Sequence, residues 1–377
     1  MASGSSRGTT AHVGSVDVLK FLLAVVIVVR HAGETFGDEG SALRMGGAAV
    51  ECFFVISGAL MCSSAERDAA RGGDIAPDTL RFLWRKLRPL IVPYLVIVVA
   101  YVVAWHQTTG AALLVDEGRK AYLLALFAYL PNLLLLSMAG IRQGSPLIYL
   151  TWYLSAMLLV MAVAYPLARR FGRSYTLLVA PLVAVLAMGL MCNLGGGTYK
   201  GIKTWLGFAT QGLMRGVIGI HLGCVAWELS RKLASLDLTA LARGLLAAAA
   251  LFLCATAWFV MEYGEERHVW SLALLYPVLV GILLSRQMAG SALFDNPVSS
   301  WLGRMSMYVY LYHAGIRRLL VAFEAPVTYG EALAVMLLGS LAAAAVTDLA
   351  LRAWHALAAR HDWHPSRLLV RPGEQST

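Results

Sequence analysis

Long apolar runs recur along almost the whole of this 377-residue chain, and they constrain its fold more than any other feature. Most are about 17 to 25 residues long, the length that an α-helix needs to cross the hydrocarbon core of a bilayer. Charged residues make up only 14% of the chain, against about 25% in ordinary soluble domains. Because a helix satisfies its own backbone hydrogen bonds within a lipid-exposed segment, the sequence predicts an all-α, polytopic membrane helix bundle.

The apolar runs divide into about ten predicted transmembrane helices. In chain order they cover residues 16–33, 46–62, 88–105, 149–166, 175–192, 208–227, 241–261, 268–285, 304–322 and 330–352. A further apolar piece, residues 121–138, contains Pro131 and Asn132. Proline removes a backbone donor and asparagine is costly in lipid. We therefore predict that this piece is an interfacial or re-entrant helix on the outer side.

Basic residues between the spans set the predicted orientation, because Lys and Arg concentrate in cytoplasmic loops. The loop 63–88 is rich in arginine and is predicted to be cytoplasmic, whereas the acidic loop 262–268 is predicted to be outside. These assignments agree only if residues 121–138 do not cross. The same rule accounts for the net charge of +9, so no nucleic-acid partner is predicted.

Three segments follow from this topology. Residues 1–14 are predicted to be a disordered cytoplasmic start, residues 15–353 the membrane domain, and residues 354–377 a cytoplasmic tail. Both termini would then be cytoplasmic in a multi-pass protein of the cytoplasmic membrane. The five cysteines lie in or beside apolar stretches without a CxxC motif, which indicates buried free thiols. No metal site is predicted.

The first span, within "DVLKFLLAVVIVVRHAGETFG", carries Lys20 and His31 eleven positions apart. At about 100° per residue both side chains face within roughly 20° of the same direction, about 16 Å apart along the axis. Both could be end residues that snorkel to the interfaces. Histidine is a weak anchor but a good proton acceptor near neutral pH, which favours His31 as a base. Glu34, one turn on, could orient the imidazole, but a solvated loop carboxylate is the favoured interpretation.

Other polar residues also lie at predicted membrane depth, where ionisable side chains are functional candidates. Glu51 opens the segment "VECFFVISGALM", in which the small pair Ser57-Gly58 indicates either close helix packing or a polar cavity. Glu51 itself could simply be in water. Arg215 needs a partner or a water-filled cavity, whereas His221 on the same span could be a hydrogen-bonded packing residue.

Two further segments carry candidate groups. Arg85 and Arg88 share a helix face just before the chain enters the membrane from the cytoplasmic side. They are either ordinary positive-inside charges or a clamp for phosphate groups. Tyr308, Tyr312 and His313 lie in "WLGRMSMYVYLYHAGIRR", as an aromatic anchor belt or as the wall of a cavity. A phosphate-bearing donor entering near the arginines could then meet a hydroxyl acceptor that His31 deprotonates.

Taken together, these segments resemble the acyltransferase-3 family of bacterial integral-membrane O-acyltransferases. Lys20 and His31 match its basic-x10-His signature, and "ECFFVISGALM" resembles its second-span motif. Arg85 and Arg88 match its paired arginines. "TWYLSAMLLV", with Trp152, resembles its tryptophan-led span, and "LGRMSMYVYLYH" resembles a late span of the family. The chain would be of the stand-alone type, without an appended esterase-like domain.

The resemblance implies transfer of an acyl group, most often acetyl, from cytoplasmic acyl-CoA to a hydroxyl of a cell-surface glycan or other carbohydrate. It makes His31 the essential base and adds Lys20 as a second catalytic residue. Arg85 and Arg88 would bind the acyl-CoA. The residues predicted to line the cavity or bind substrate are Glu51, Ser57, Trp152, Arg215, Tyr308 and His313. Acetyl-CoA would be a co-substrate rather than a bound cofactor.

The implied partners are the donor, the glycan acceptor, the lipid bilayer and separate glycan-assembly proteins. Two departures from the family pattern stand out: Lys20 replaces a commoner arginine, and Met157 replaces a glutamate found in many members. A transporter or flippase for a lipid-linked sugar or acyl group is the alternative function. Transporters often show inverted repeats with paired broken helices, and no such pairing is evident in the sequence. A structural or sensory role is disfavoured by the clustered His, Arg and Tyr residues.

Overall fold

The computed structural model describes residues 13–37, 42–141, 147–194, 204–205 and 209–360, except the side chains of 204, 205, 355 and 358–360. Most of the predicted N-terminal segment 1–14 and of the predicted tail 354–377 lies outside these residues. Fourteen α-helices are present among the described residues. The first seven are α1 (Gly14–Phe36), α2 (Ala49–Ala70), α3 (Ile75–Leu87), α4 (Ile91–Trp105), α5 (Ala111–Asp116), α6 (Gly118–Ala128) and α7 (Leu130–Leu133). The other seven are α8 (Trp152–Ser174), α9 (Ala180–Leu194), α10 (Gln211–Ala234), α11 (Ala240–Tyr263), α12 (Glu266–Ser285), α13 (Pro297–Ala322) and α14 (Tyr329–Arg360).

Short irregular pieces connect these helices. Two π-helical turns, His106–Gly110 and Tyr175–Val179, continue α4 into α5 and α8 into α9. Two short strands, β1 (Thr204–Trp205) and β2 (Ala209–Thr210), pair antiparallel just before α10. The architecture is therefore a helix bundle with almost no sheet among the described residues.

Six helical runs in the described part of the chain are long and apolar enough to cross a membrane. One of them, Tyr149–Leu194, contains two predicted spans, separated by a break at Gly172, whose φ of 51° favours glycine. The three remaining predicted spans coincide with α1, α10 and α13, which carry the ionisable residues noted above. The prediction of an all-α membrane helix bundle is confirmed, and each of the ten predicted spans corresponds to a long helix.

Contacts between side chains show that α2 and α8 run parallel. The hydroxyls of Ser57 and Tyr153 are 3.2 Å apart, and further along both helices Tyr165 donates to Asp68 over 2.6 Å. Among the described residues between them α4 is the only long helix, so an additional crossing by residues 121–138 would make α8 antiparallel to α2. The helix directions agree with the prediction that this piece does not cross.

The segment formed by α6 and α7 instead folds back along α4. Tyr122 and Tyr129 pack on Trp105, with ring centroids 5.1 and 6.0 Å away. Tyr94, about three helical turns earlier on α4, donates its hydroxyl to the carbonyl of Leu133 over 2.8 Å. This arrangement is that of a re-entrant hairpin, which is one of the two forms predicted for this piece.

Asn132 at the turn of this hairpin is fully buried but well paired. Its side-chain oxygen accepts from the Ile148 amide over 2.8 Å, and its side-chain nitrogen donates to the Ile148 carbonyl over 3.3 Å and to Thr151 over 3.4 Å. An amide with these partners has replaced most of its lost water contacts, which removes the expected cost of burial. Asn132 thereby ties the hairpin to the start of α8.

The centre of the bundle is the parallel pair α2 and α10, whose backbones touch. A Cβ added at Gly58 would lie 2.1 Å from the Ile220 carbonyl oxygen, and one added at Gly223 would lie 2.4 Å from the Val55 carbonyl oxygen. No real Cβ tolerates such distances to backbone atoms. The interpretation of Ser57-Gly58 as a close packing site is therefore correct for Gly58, in keeping with the use of small residues between membrane helices.

We expect Gly58→Ala to destabilise the bundle by about 1–3 kcal/mol, because the new methyl group must push α10 away from α2. The measurement is the midpoint of thermal unfolding of the purified protein in detergent. Gly244→Ala is the matched control, since a Cβ at Gly244 on α11 meets nothing within 4 Å. Equal midpoints for the two variants would contradict the backbone contact.

Candidate active site

His31 lies in the last two turns of α1 and is oriented by a carboxylate. Its Nδ1 donates to Oε2 of Glu34 over 2.8 Å, and its side chain is 13% exposed. Because a carboxylate only accepts, the neutral imidazole carries its proton on Nδ1 and presents a lone pair on Nε2. The Glu34 side chain is 42% exposed, as a solvated carboxylate would be, but it lies within α1 and bonds His31, so its interpretation as a mere loop carboxylate is wrong.

Arg30 holds Glu34 from the other side. Its guanidinium bonds the second oxygen of Glu34 and also the backbone carbonyl of Arg44 in the following loop. The Glu34 carboxylate thus joins a cation to the imidazole of His31. A carboxylate in that position would also stabilise an imidazolium if His31 accepted a proton.

A second imidazole, that of His313 on α13, stacks against His31. The ring centroids are 5.5 Å apart and the planes differ by 16°. His313 is fully buried, and its Nδ1 donates to the Val309 carbonyl over 3.1 Å. Its Nε2 is buried without a hydrogen-bond partner in the described part of the chain. An unpaired buried acceptor costs about 1–3 kcal/mol, so this nitrogen is well placed to accept a hydrogen bond from a bound molecule.

Aromatic side chains extend the site towards α2 and α8. The ring of Tyr310 lies 5.9 Å from that of His313 and 5.8 Å from that of Tyr153. Tyr310 donates its hydroxyl to the Leu150 carbonyl over 2.9 Å, while the Tyr153 hydroxyl lies beside Ser57. Ser57 is therefore connected to the histidine pair through two tyrosines. Neither Tyr153 nor Tyr310 was predicted, because only the packing of α8 against α13 shows which tyrosines face the histidine pair.

Glu51 and Arg215 form a buried ion pair between α2 and α10. The guanidinium donates from Nε over 2.7 Å and from Nη2 over 2.9 Å to the two carboxylate oxygens. The two residues are 2% and 3% exposed, so the interpretation of Glu51 as a residue in water is wrong. The guanidinium carbon also lies 4.5 Å from the centroid of the Trp152 ring on α8. These three predicted residues meet in one cluster that joins three helices.

Lys20 lies about 16 Å from His31 along α1 and contacts Asp17. It lines a cavity of about 790 Å³ between the N-terminal part of α1 and the C-terminal parts of α2, α10 and α12. Its cationic lining residues are Lys20, Arg67, Lys86, Arg231 and Arg286, and its carboxylates are Asp17 and Glu66. The lining therefore has an excess of positive charge. The positive-inside rule explains most of these cations as ordinary charges of cytoplasmic loops. That they line one cavity together depends on helix packing, which the sequence does not reveal.

The predicted phosphate clamp, Arg85 and Arg88, is not part of this lining. Arg85 donates to Asp68 over 2.9 Å, and Asp68 also accepts from Tyr165 and from Arg71. Arg88 is exposed in a short 3₁₀ turn between α3 and α4. In this arrangement Arg85 holds α3 against α2 and α8, and the role of the pair in donor binding stays a prediction.

Two other predicted groups lie away from the histidine pair. Tyr308 is about 140° around α13 from His313, so it faces a different direction. Its neighbour Tyr312 bonds Thr347 on α14 over 2.6 Å. His221 is hydrogen-bonded through both ring nitrogens, to Tyr175 over 2.9 Å and to the Val217 carbonyl over 2.7 Å. It is a satisfied packing residue.

Comparison with known proteins gives one result that covers most of the chain. The family model of the acyltransferase-3 domain, described as an acyltransferase domain, matches residues 13–351. The comparisons with curated proteins and with solved structures found no match. The match includes α1, α2 and α13, which carry the histidine pair and Glu51. The chain therefore belongs to the acyltransferase-3 family of membrane acyltransferases.

Proposed function

We propose that this protein is a membrane O-acyltransferase. It would move an acyl group, most simply acetyl, from cytoplasmic acyl-CoA to a hydroxyl of a cell-surface glycan or other carbohydrate, with His31 as the general base. The observation that carries the proposal is the imidazole pair of His31 and His313, with Glu34 fixing the tautomer of His31. Family membership supports the acyl transfer, and the donor and acceptor are inferred from the groups at the two ends of α1.

In the proposed reaction His31 Nε2 removes the proton of the acceptor hydroxyl. The oxygen attacks the thioester carbonyl carbon, and the carbon–sulfur bond then breaks. The leaving thiolate takes the proton back from the imidazolium, so the products are the ester and a free thiol. Glu34 favours the imidazolium during this cycle, and general acid–base catalysis of this kind contributes about 10²–10⁴-fold.

His313 would serve the same reaction as a hydrogen-bond acceptor. Its Nδ1 proton is engaged by the Val309 carbonyl, which leaves the Nε2 lone pair for a donor group of the bound carbohydrate. A sugar ring offers such a donor, because a second hydroxyl usually adjoins the reacting one. The stacked geometry would hold the two hydroxyl groups side by side.

The cation-lined cavity beside Lys20 is the proposed binding site of the donor's phosphate groups. Five cations and two carboxylates line it, which suits a polyanion. The distance of about 16 Å from Lys20 to His31 is of the order that an extended pantetheine-like arm covers. The thioester would then reach His31 from the opposite end of α1.

The first test replaces the proposed base. We expect His31→Ala to reduce acyl transfer by about 10²–10⁴-fold, because no other group would remove the hydroxyl proton. The measurement is incorporation of label from acetyl-CoA and longer acyl-CoAs into a panel of glycans, with the protein in vesicles. His106→Ala, which removes a histidine of α4's π-helical extension, should retain activity. Label that does not depend on His31, or movement of a lipid-linked sugar without acylation, would contradict the proposal and favour the transporter.

The second test concerns His313. We expect His313→Phe to keep the ring stacking but to lower kcat by roughly 5- to 150-fold, since a donor of the substrate would be left unpaired at a cost of about 1–3 kcal/mol. His313→Gln should recover part of the rate, because its amide oxygen can accept a hydrogen bond. The KM for acyl-CoA should not change in either variant. Equal kcat values for the Phe and Gln variants would contradict the role of His313 as a hydrogen-bond acceptor.

The third test concerns the donor cavity. Among the described residues Arg67 bonds only the hydroxyls of Ser63 and Ser64, so its charge has no carboxylate partner in that part of the chain. We expect Arg67→Gln to raise the KM for acyl-CoA about tenfold with little change in kcat, as loss of a charge-assisted hydrogen bond to phosphate predicts. Arg71→Gln is the control, because Arg71 lies outside the cavity lining. A larger effect of Arg88→Gln than of Arg67→Gln would return the phosphate site to the predicted arginine pair.

A further inference from the structure

Two cysteine thiols meet at the contact between α2 and α10. The sulfur atoms of Cys62 and Cys224 are 3.1 Å apart, and the residues are 3% and 0% exposed. Cys62 lies one turn after Gly58, and Cys224 directly follows Gly223, the two glycines at which the helix backbones touch. Disulfides need Cα atoms about 4.4–6.8 Å apart, and touching backbones are the arrangement that brings them this close.

The two thiols differ in their access to a neighbouring cavity. Cys62 contributes to the wall of a cavity of about 150 Å³ between α2, α8 and α10, whereas Cys224 is absent from its lining and lies behind Cys62. The same wall includes polar side chains such as Arg169, Thr176 and Glu228. A polar cavity of this volume admits water, and hydrogen peroxide is only slightly larger.

We propose that Cys62 and Cys224 form a dithiol that hydrogen peroxide converts to a disulfide, with Cys62 reacting first and Cys224 resolving. The Cys62 sulfur attacks one peroxide oxygen, the oxygen–oxygen bond breaks, and the products are a sulfenic acid and water. The Cys224 sulfur then attacks the Cys62 sulfur, the sulfur–oxygen bond breaks, and a second water leaves. Two thiols are oxidised and one peroxide is reduced, so the electrons balance.

The bond would join the two helices that carry the buried ion pair. Closing the sulfur–sulfur distance from 3.1 Å to about 2.05 Å requires a movement of about 1 Å between helices already in contact. The bond would also lie beside the donor cavity, since Glu66, Trp227 and Arg231 line both cavities. Oxidation would therefore lock one wall of that cavity. This inference does not depend on the reaction that the protein catalyses.

The experiment treats the full-length protein in detergent with hydrogen peroxide, blocks the remaining thiols by alkylation and maps the peptides by mass spectrometry. We expect a Cys62–Cys224 linked peptide that disappears after reduction with dithiothreitol. Because the disulfide closes a long loop, we also expect a higher midpoint of thermal unfolding after oxidation. The Cys52→Ser variant is the matched control and should still form the bond.

Single variants test the order of reaction. In Cys224→Ser, peroxide should leave a sulfenic acid on Cys62 that dimedone traps, whereas in Cys62→Ser the Cys224 thiol should stay unmodified. The wild-type peptide map decides the matter even if a variant fails to fold. Full alkylation of both thiols after peroxide treatment, or a bond from either cysteine to Cys192 or Cys254, would overturn the proposal.

Discussion

The buried ion pair of Glu51 and Arg215 is the interaction on which the rest of the bundle depends. It joins α2 to α10 and, through the Trp152 ring, both helices to α8. Removal of one partner from a buried pair leaves an uncompensated charge, at a cost of about 3–5 kcal/mol. The contact of the α2 and α10 backbones and the Ser57 hydroxyl beside Tyr153 lie about two turns further along the helices that this pair joins.

Much of the fold could be predicted because the bilayer imposes a length and an orientation on each helix. The ten spans and the fold-back of residues 121–138 follow from apolar length, from arginine-rich loops and from one Pro-Asn pair. Helix order in space could not be predicted, because the choice of neighbour depends on small-residue contacts such as Gly58 with Ile220, which look alike in any membrane helix. The cation cavity beside Lys20 has the same origin, since its lining comes from distant parts of the chain.

The candidate site, like the fold, could be predicted from the sequence only in part. The eleven-residue spacing of Lys20 and His31 predicts that they face the same way along α1. In the structure Lys20 lines the cavity between α1, α2, α10 and α12, whereas His31 stacks on His313 of α13. The partner of Arg215 was not predicted, because Glu51 lies 164 positions away in sequence. The role of Glu34 was misjudged for a local reason: a carboxylate one turn past an apolar run looks solvated unless its hydrogen bond to His31 is known. The stacking of His313 on His31 depends on the packing of α1 against α13, which no local pattern encodes.

The hydrogen bonds of Asn132 to the start of α8 bear on the order in which the helices enter the membrane. Its partners, Ile148 and Thr151, are synthesised after it, so the asparagine has no backbone groups to bond while α6 and α7 emerge. An unpaired amide is costly in hydrocarbon, and the hairpin is therefore expected to wait at the membrane surface until the start of α8 arrives. In this view the hairpin enters the bundle only when the start of α8 is present to bury the side chain of Asn132.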